Sequence, residues 1–211
     1  MLNLLLNSCI LESKLSEDKK NKAIEIFNDA YCKTNEGQIL DITSALMQDI
    51  DEEEYIEVIS KKTSGLFLYS AEVGLMLADS ASAMRKALID AVKSIAVAFQ
   101  VRDDIMDITD SDAKGHSLGS DIKKGNMTLP VLFALKKAGR KNKEKLMNLL
   151  GKNVLTKKEA DCAIDIIVSS GAIEFSERIV NGEIKKARKL LDKNINLSKD
   201  TNFFYHLIKR V

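Results

Sequence analysis

The feature that most constrains this chain is how rarely its helical pattern is interrupted. The sequence has 211 residues but a single proline, Pro130, and only 5% of its residues are aromatic. Long segments repeat apolar residues at the three- and four-residue steps of a helix, and no convincing run alternates at the two-residue step of a strand. The sequence therefore predicts an all-α fold, with a central helix over residues 81–108.

The central helix carries an acidic face near its end. Gln100, Asp103, Asp104 and Asp107 are spaced by steps of three and four residues, which places them on one side of the helix. Two carboxylates about 6 Å apart repel by about 3 kcal/mol at an effective dielectric constant of about 20. A hard divalent cation such as Mg²⁺ would relieve this repulsion, because it takes oxygen ligands and bridges carboxylates to substrate phosphates. On the pattern alone, the alternative is a solvated acidic face.

A charged loop with glycines follows the acidic face, over residues 109–127. Gly115, Gly119 and Gly125 lie in it among aspartates and lysines, a composition that suits phosphate binding. A helix is expected to resume at Thr128. Pro130 then falls in its first turn, where the missing N–H costs no hydrogen bond.

These residues and two motifs upstream resemble the trans-isoprenyl diphosphate synthases. Gly37-Gln38 and Lys62-Thr63 are similar to the GQ and KT motifs of that family and occur in the same order. The second aspartate-rich motif of the family and its loop are matched by Phe99, Gln100, Asp103, Asp104, Asp107, Gly115, Gly119, Asp121, Gly125, Thr128, Leu129 and Pro130. The resemblance implies an isoprenoid-synthase-like helical bundle and a Mg²⁺-dependent prenyltransferase, which adds isopentenyl diphosphate to an allylic diphosphate.

The resemblance also implies a role for each site residue. The metal ligands would be Asp103, Asp104, Asp107 and Asp121, the catalytic residues Lys62, Thr63 and Gln100, and the substrate-binding residues Gln38, Lys62 and His116. Thr63 and Gln100 would offer oxygen dipoles near the developing carbocation. His116 stands where the family usually has lysine, and because it is mostly neutral at pH 7 it is a poorer diphosphate ligand.

Two of these positions also have ordinary structural explanations. Gly37 can be a packing glycine beside an exposed Gln38, and spacing alone does not choose between packing and an active-site position. Lys62 borders an apolar stripe, where lysine stems often lie along apolar surface with the ammonium group in water. If the bundle encloses diphosphate, Lys62 becomes a donor aimed inward, and the resemblance favours that interpretation.

Composition excludes several other classes of function. Lys plus Arg number 32 and Asp plus Glu 31, so the net charge of +1 provides no general attraction to nucleic acid or to an anionic membrane. The apolar stretch at residues 1–11 is too short to span a membrane and lacks the basic start of a signal peptide. Cys9, Cys32 and Cys162 are an odd number at no metal-ligand spacing, and we interpret them as reduced core residues of a cytoplasmic protein.

The sequence departs from the family in one large respect. Family members carry a first DDxxD motif before the GQ motif, and this sequence has no candidate for it. We therefore expect residues 1–211 to form a single helical domain, the C-terminal two-thirds of a polyprenyl synthetase fold without its N-terminal helices. The expected assembly is a homodimer, or a heteromer with a chain that carries the missing half.

Three functions follow from this departure, in order of preference. The first is a truncated or split prenyltransferase, the second a non-catalytic subunit that binds isoprenoid diphosphate or regulates a synthase, and the third a structural helical module. The segment from Gly125 to Leu132, GNMTLPVL, is similar to that of long-chain synthases and favours a long product.

Overall fold

The computed structural model describes residues 2–47, 50–109, 118–194 and 202–210, and every regular element among them is a helix. In chain order the helices are α1 (Leu2–Glu12), α2 (Glu17–Met47), α3 (Glu52–Lys62), α4 (Ser64–Leu77), α5 (Ser82–Thr109), α6 (Ser120–Lys124), α7 (Leu129–Lys137), α8 (Arg140–Leu149), α9 (Lys157–Ser169), α10 (Ala172–Asn194) and α11 (Asn202–Arg210). The predicted all-α fold is confirmed.

Helix α5 lies at the centre of the bundle, as the sequence predicts, and its bounds differ from the predicted ones by one residue at each end. It packs most extensively against α10, and also against α3, α4 and α7. Small side chains permit this close packing, since Ala91, Ala96 and Ala98 are all fully buried. Residues near the carboxylates are therefore held by neighbours on several sides.

Two apolar clusters flank α5 along its length. The larger cluster joins its second half to α3, α7, α9 and α10, around fully buried residues such as Val101, Val131 and Ile167. The other cluster joins its first half to α10 and α11, through Leu88 and Ile208. The carboxylate end of α5 and its apolar end thus contact different parts of the bundle.

Two helices begin with reciprocal caps that their sequences specify. The Asp51 side chain accepts hydrogen bonds from the amides of Glu53 and Glu54, and the Glu54 side chain accepts one from the Asp51 amide. Thr156 and Glu159 form the same arrangement before α9. The interpretation of the acidic run at residues 49–54 as a helix start is confirmed at Asp51, and Asp49 lies outside the described residues.

The described part of the segment between α5 and α7, residues 118–128, contains a helix that the sequence does not predict. Within the expected loop, residues 120–124 form the short helix α6, with Gly119 before it and Gly125 after it. Both glycines have left-handed backbones, at φ 78° and 77°, which side chains with a Cβ rarely adopt. Helix α7 begins at Leu129 after Thr128, with Pro130 in its first turn as predicted.

The interpretation of the cysteines as core residues is wrong for two of the three. Cys9 and Cys32 are exposed, and Cys162 is half-buried against the larger apolar cluster. Cysteine behaves as a small apolar residue that either environment tolerates, so an apolar neighbourhood in sequence does not fix its burial.

None of the described helices combines the length and the apolar composition that crossing a membrane requires.

Candidate active site

Helices α2 and α3 approach each other most closely at Gly37. A Cβ atom built on Gly37 would lie 2.3 Å from the backbone nitrogen of Lys62 and 2.7 Å from its Cα. Only glycine fits there, because the obstacle is backbone and cannot rotate away. The contact brings the side chains of the two helices together, and the Lys62 ammonium donates to the carboxylate of Asp41 one turn after Gly37. Gly37 is therefore a packing glycine that also places Lys62.

A chain of hydrogen bonds joins the end of α3 to α5. The Thr63 hydroxyl donates to the Gln100 carbonyl oxygen at 2.7 Å, and the Gln100 amide donates to Asp104 Oδ1 at 3.1 Å. The other carboxylate oxygen, Oδ2, accepts from the hydroxyl of Tyr55 on α3. Both oxygens of Asp104 are thus engaged, and the amide of Gln100 is held at both ends.

Burial dominates the electrostatics of Asp104. The side chain is 3% exposed, and this burial raises the pKa of the carboxyl from 3.8 to about 7. The nearby Asp121 carboxylate raises the pKa further, whereas hydrogen bonds from Tyr55, Gln100 and the amide of Leu129 at the start of α7 lower it. Burial and the Asp104 charge also hold the pKa of the Tyr55 hydroxyl well above 10. Asp104 therefore sits close to the balance between its neutral and charged forms near pH 7.

Asp107 anchors the short helix α6. Its Oδ1 accepts from the Ser120 hydroxyl at 2.6 Å and its Oδ2 from the Asp121 amide at 3.0 Å, while its backbone carbonyl accepts from the Gly119 amide at 2.9 Å. Asp107 is 5% exposed. These contacts place the Asp121 side chain, whose carboxylate accepts a hydrogen bond from the side-chain amide of Asn126 at 2.9 Å.

These groups surround a polar pocket of about 270 Å³. It is lined by Asp41, Tyr55, Ile59, Lys62, Gln100, Asp103, Asp104, Asp121, Lys124, Asn126, Met127 and Thr128. Four carboxylates and two ammonium groups therefore line one small volume, which is an arrangement that favours a cation and a multiply charged anion bound together.

The structure gathers most of the predicted site residues at this pocket. Lys62, Gln100, Asp103, Asp104 and Asp121 line it, and Thr63 is joined to it through its hydrogen bond to Gln100. Gln38 is exposed and is not among the lining residues, and neither is Asp107. His116 lies outside the described residues. The assignments of metal and catalytic roles stay predictions.

Among the lining residues that were not predicted as site residues, three form hydrogen bonds to predicted ones, namely Asp41, Tyr55 and Asn126. Asp41 lies three residues after Gln38 and so close to it on the helix face, which is a signal that the sequence offered. Asn126 lies in the segment from Gly125 to Leu132, whose similarity to long-chain synthases bears on product length and gives no signal of a site. Tyr55 carried no signal, because a single aromatic residue on an amphipathic helix ordinarily packs in the core.

An apolar groove is formed by residues of α4, α5 and α11. It has a volume of about 560 Å³ and is lined by Leu66, Phe67, Ser70, Ala71, Gly74, Leu75, Leu88, Val92, Phe204 and Leu207. Val92 lies eight residues before Gln100, or roughly 12 Å along the helix axis. The groove therefore lies along the first half of α5, before the acidic face.

The donor set of the polar pocket fits Mg²⁺. Among the described residues no three His, Cys, Asp or Glu side chains lie close enough to form a ready-made metal cluster. Magnesium needs no such cluster, because it keeps several waters and is often held by one or two carboxylates together with substrate phosphates. Asp103 and Asp121 supply carboxylates at the pocket, and hard oxygen donors of this kind suit Mg²⁺.

Comparison with known proteins agrees with the fold and the motifs. Residues 3–167 match the family model described as polyprenyl synthetase, and the chain belongs to this family. The chain is 34% identical over 172 residues to a short chain isoprenyl diphosphate synthase of Methanothermobacter thermautotrophicus, an alignment that covers 81% of this chain and 52% of that protein.

Solved structures show the same architecture. A geranylgeranyl pyrophosphate synthetase from Pyrococcus horikoshii superposes with a TM-score of 0.84 at 32% identity, over 96% of this chain and 61% of that one. A polyprenyl synthase from Caulobacter crescentus, complexed with calcium and isoprenyl diphosphate, superposes with a TM-score of 0.81 at 26% identity, over 89% of this chain and 57% of that one. The chain spans about half the length of the curated relatives it matches.

Proposed function

We propose that this chain forms the diphosphate-binding half of a Mg²⁺-dependent prenyltransferase site, in which isopentenyl diphosphate is added to an allylic diphosphate. The observation that carries the proposal is that one helical bundle holds both a charged pocket lined by Gln100 and an apolar groove lined from Leu66, three residues after the Thr63 that bonds Gln100. An allylic diphosphate has a charged head and an apolar tail, and the two cavities match these parts. Relatives of this chain that are named as isoprenyl and geranylgeranyl diphosphate synthases support the same reaction class.

The chain's own residues would act mainly by stabilising the negative charge of the departing diphosphate and the positive charge of the allylic cation. In the proposed reaction the allylic C–O bond breaks and both electrons leave with the diphosphate; the double bond of isopentenyl diphosphate then attacks the allylic cation, and a proton is lost. Lys62, already oriented by Asp41, would donate to the departing diphosphate. The carbonyl dipole of Gln100 would face the cation, and the groove would exclude water from it. Mg²⁺ held by Asp103 and Asp121, when bound, would neutralise the diphosphate.

The proposal includes a further set of metal ligands from outside these 211 residues. The sequence has one DDxxD motif, whereas the family pairs two of them. We propose that the missing first DDxxD motif comes from another segment or from a partner chain, in a homodimer or a heteromer. We also propose that this assembly works in the cytoplasm. A bacterial relative named heptaprenyl diphosphate synthase component 2 supports an arrangement with more than one subunit.

The experiment that tests the proposal measures incorporation of labelled isopentenyl diphosphate when the complementary DDxxD-bearing segment is supplied. The matched variants are Asp103→Asn in the pocket and Asp165→Asn, which replaces an exposed aspartate on α9. Incorporation that falls at least 100-fold in the first variant and is unchanged in the second supports the proposal, since removing a charge-stabilising group at the reacting centre costs roughly that factor.

A binding measurement separates the alternatives when turnover is absent. Mg²⁺-dependent binding of diphosphate that Asp103→Asn abolishes, with no incorporation under any complementation, would assign the chain to the non-catalytic binding or regulatory class. Absence of both binding and incorporation would contradict the proposal and favour the structural helical module.

A further inference from the structure

Tyr55 occupies an unusual position for a core tyrosine. Its ring is 4% exposed and packs in the larger apolar cluster, but its hydroxyl reaches Asp104, which is 49 residues away in the chain. Tyr55 is thus the point at which the apolar core contacts the carboxylate face of α5.

The contact restrains more than Asp104. Without the Tyr55 hydroxyl the Asp104 carboxylate would keep Gln100 and the Leu129 amide as donors, but Oδ2 would lose the hydroxyl that fixes the carboxylate about its Cβ–Cγ bond. With Oδ2 engaged by Tyr55, Oδ1 faces Gln100, and the Gln100 amide is placed between Asp104 and Thr63. The carbonyl oxygen of Gln100 therefore keeps one orientation at the edge of the polar pocket.

The partners of Asp104 all belong to the protein framework. Its carboxylate lines the pocket and accepts hydrogen bonds from Tyr55, from Gln100 and from the amide of Leu129 at the start of α7. A carboxylate whose two oxygens hold framework donors is suited to orienting a side chain, because moving either oxygen would break a buried hydrogen bond.

We propose that Tyr55 is a positioning residue that fixes the orientation of the Gln100 amide through Asp104. The proposal rests on the proposed function for its consequence, namely that a correctly aimed Gln100 dipole speeds ionisation of the allylic diphosphate. The geometric part stands without that function, and the two parts are tested separately.

The geometric part is tested by the side-chain amide resonances of glutamine in ¹⁵N-labelled protein. The chain has only three glutamines, Gln38, Gln48 and Gln100, so the signals are simple to assign. Tyr55→Phe keeps the ring and removes only the hydroxyl; we expect the Gln100 signal to shift and its two amide protons to converge, while the Gln38 signal stays in place. Tyr69→Phe is the control, since Tyr69 packs against Phe27 on α2. An unchanged Gln100 signal in a folded Tyr55→Phe protein would overturn the proposal.

The catalytic part is tested by a double-mutant cycle in the complemented enzyme. We expect Tyr55→Phe to lower kcat about tenfold, the factor that loss of one such hydrogen bond gives, with KM for isopentenyl diphosphate unchanged. In a Gln100→Ala background the same change should have less than about a twofold effect, since Tyr55 then has no amide left to orient. Equal losses in both backgrounds would overturn the proposal. A wild-type enzyme without turnover would contradict the proposed function instead, and the Gln100 resonance would still decide the geometric part.

Discussion

At the scale of single residues, the three aspartates of the DDxxD motif have different surroundings. Asp103 lines the pocket, Asp104 is buried between a tyrosine and a glutamine, and Asp107 holds the start of α6. A spacing of three and four residues places side chains on one face of a helix, but it does not say which neighbouring element each of them meets. The division of work within the motif therefore becomes visible only in three dimensions.

The buried Asp104 predicts a dependence of stability on pH in the metal-free protein. Because its pKa is raised from 3.8 to about 7, the folded state holds the proton more tightly than the unfolded state does. The free energy of unfolding should therefore fall as pH rises from about 4 to about 7, by about 4 kcal/mol at most. Asp104→Asn cannot titrate, so it should remove this slope. Denaturant unfolding at about pH 5 and about pH 8 in the presence of a chelator measures the difference.

The exposed Asp165 provides the control for this experiment. Asp165→Asn should keep the wild-type pH dependence, because it leaves Asp104 and the hydrogen-bond partners of Asp104 unchanged. A slope in Asp104→Asn equal to that of the wild type would show that Asp104 is not the titrating group.

Asp107 predicts a different outcome from Asp103 when each is changed to asparagine. Asp107→Asn leaves one acceptor for two donors, so we expect a loss of about 1–3 kcal/mol in the free energy of unfolding and faster hydrogen exchange at the Asp121 amide. Asp103→Asn should instead weaken Mg²⁺ binding and change stability little. If Asp107→Asn weakened Mg²⁺ binding as strongly and left stability unchanged, Asp107 would be a metal ligand, as its place in the motif predicts.

At the scale of elements, one glycine governs how α2 meets α3. In Gly37→Ala the new Cβ would overlap the Lys62 backbone, and the two helices would have to separate. We expect a loss of about 3 kcal/mol in the free energy of unfolding. Gly182→Ala on α10 is the matched control: its Cβ would meet nothing within 4 Å, so it should gain up to about 1 kcal/mol from helix propensity. Thermal and denaturant unfolding of both variants measure these effects, and equal behaviour would contradict the close approach.

Much of the element order could be predicted from the sequence, and the reasons for the failures are physical. Long helices such as α5 carry a sustained periodic pattern, and capping residues such as Asp51 mark where they begin. The five-residue α6 is too short to show a period and depends on the carboxylate of Asp107, which comes from another helix. Tyr55 was missed for a related reason, since its hydroxyl acquires a partner only when α3 packs against α5.

At the scale of the whole molecule, the apolar groove extends along α4 and α5 to the helix α11. Its lining begins at Leu66, three residues after Thr63, and extends to Leu75 and Leu88, where Phe204 and Leu207 of α11 pack. If the prenyl tail lies in this groove, then the C-terminal helix closes the end that the growing tail approaches.

Phe204 should therefore influence product length in the complemented enzyme. Phe204→Ala deepens the groove and should shift products toward longer chains, whereas Phe204→Trp fills it and should shift them toward shorter ones. Chromatography of the dephosphorylated products measures both shifts. Opposite substitutions that move the distribution in the same direction, or not at all, would show that the tail does not reach α11. The long product that the Gly125 to Leu132 segment favours stays a prediction until this measurement.

The contact between Gly125 and Gly151 ties the rim of the polar pocket to the turn after α8. The Gly151 amide donates to the carbonyl of Ile122 at 2.9 Å, and the two glycines approach so closely that a Cβ on Gly125 would lie 3.0 Å from the Cα of Gly151. A ligand that immobilises Asp121 and Asn126 is therefore expected to immobilise this turn as well. A spectroscopic probe attached to the turn between α8 and α9 should therefore report ligand binding without blocking access to the pocket.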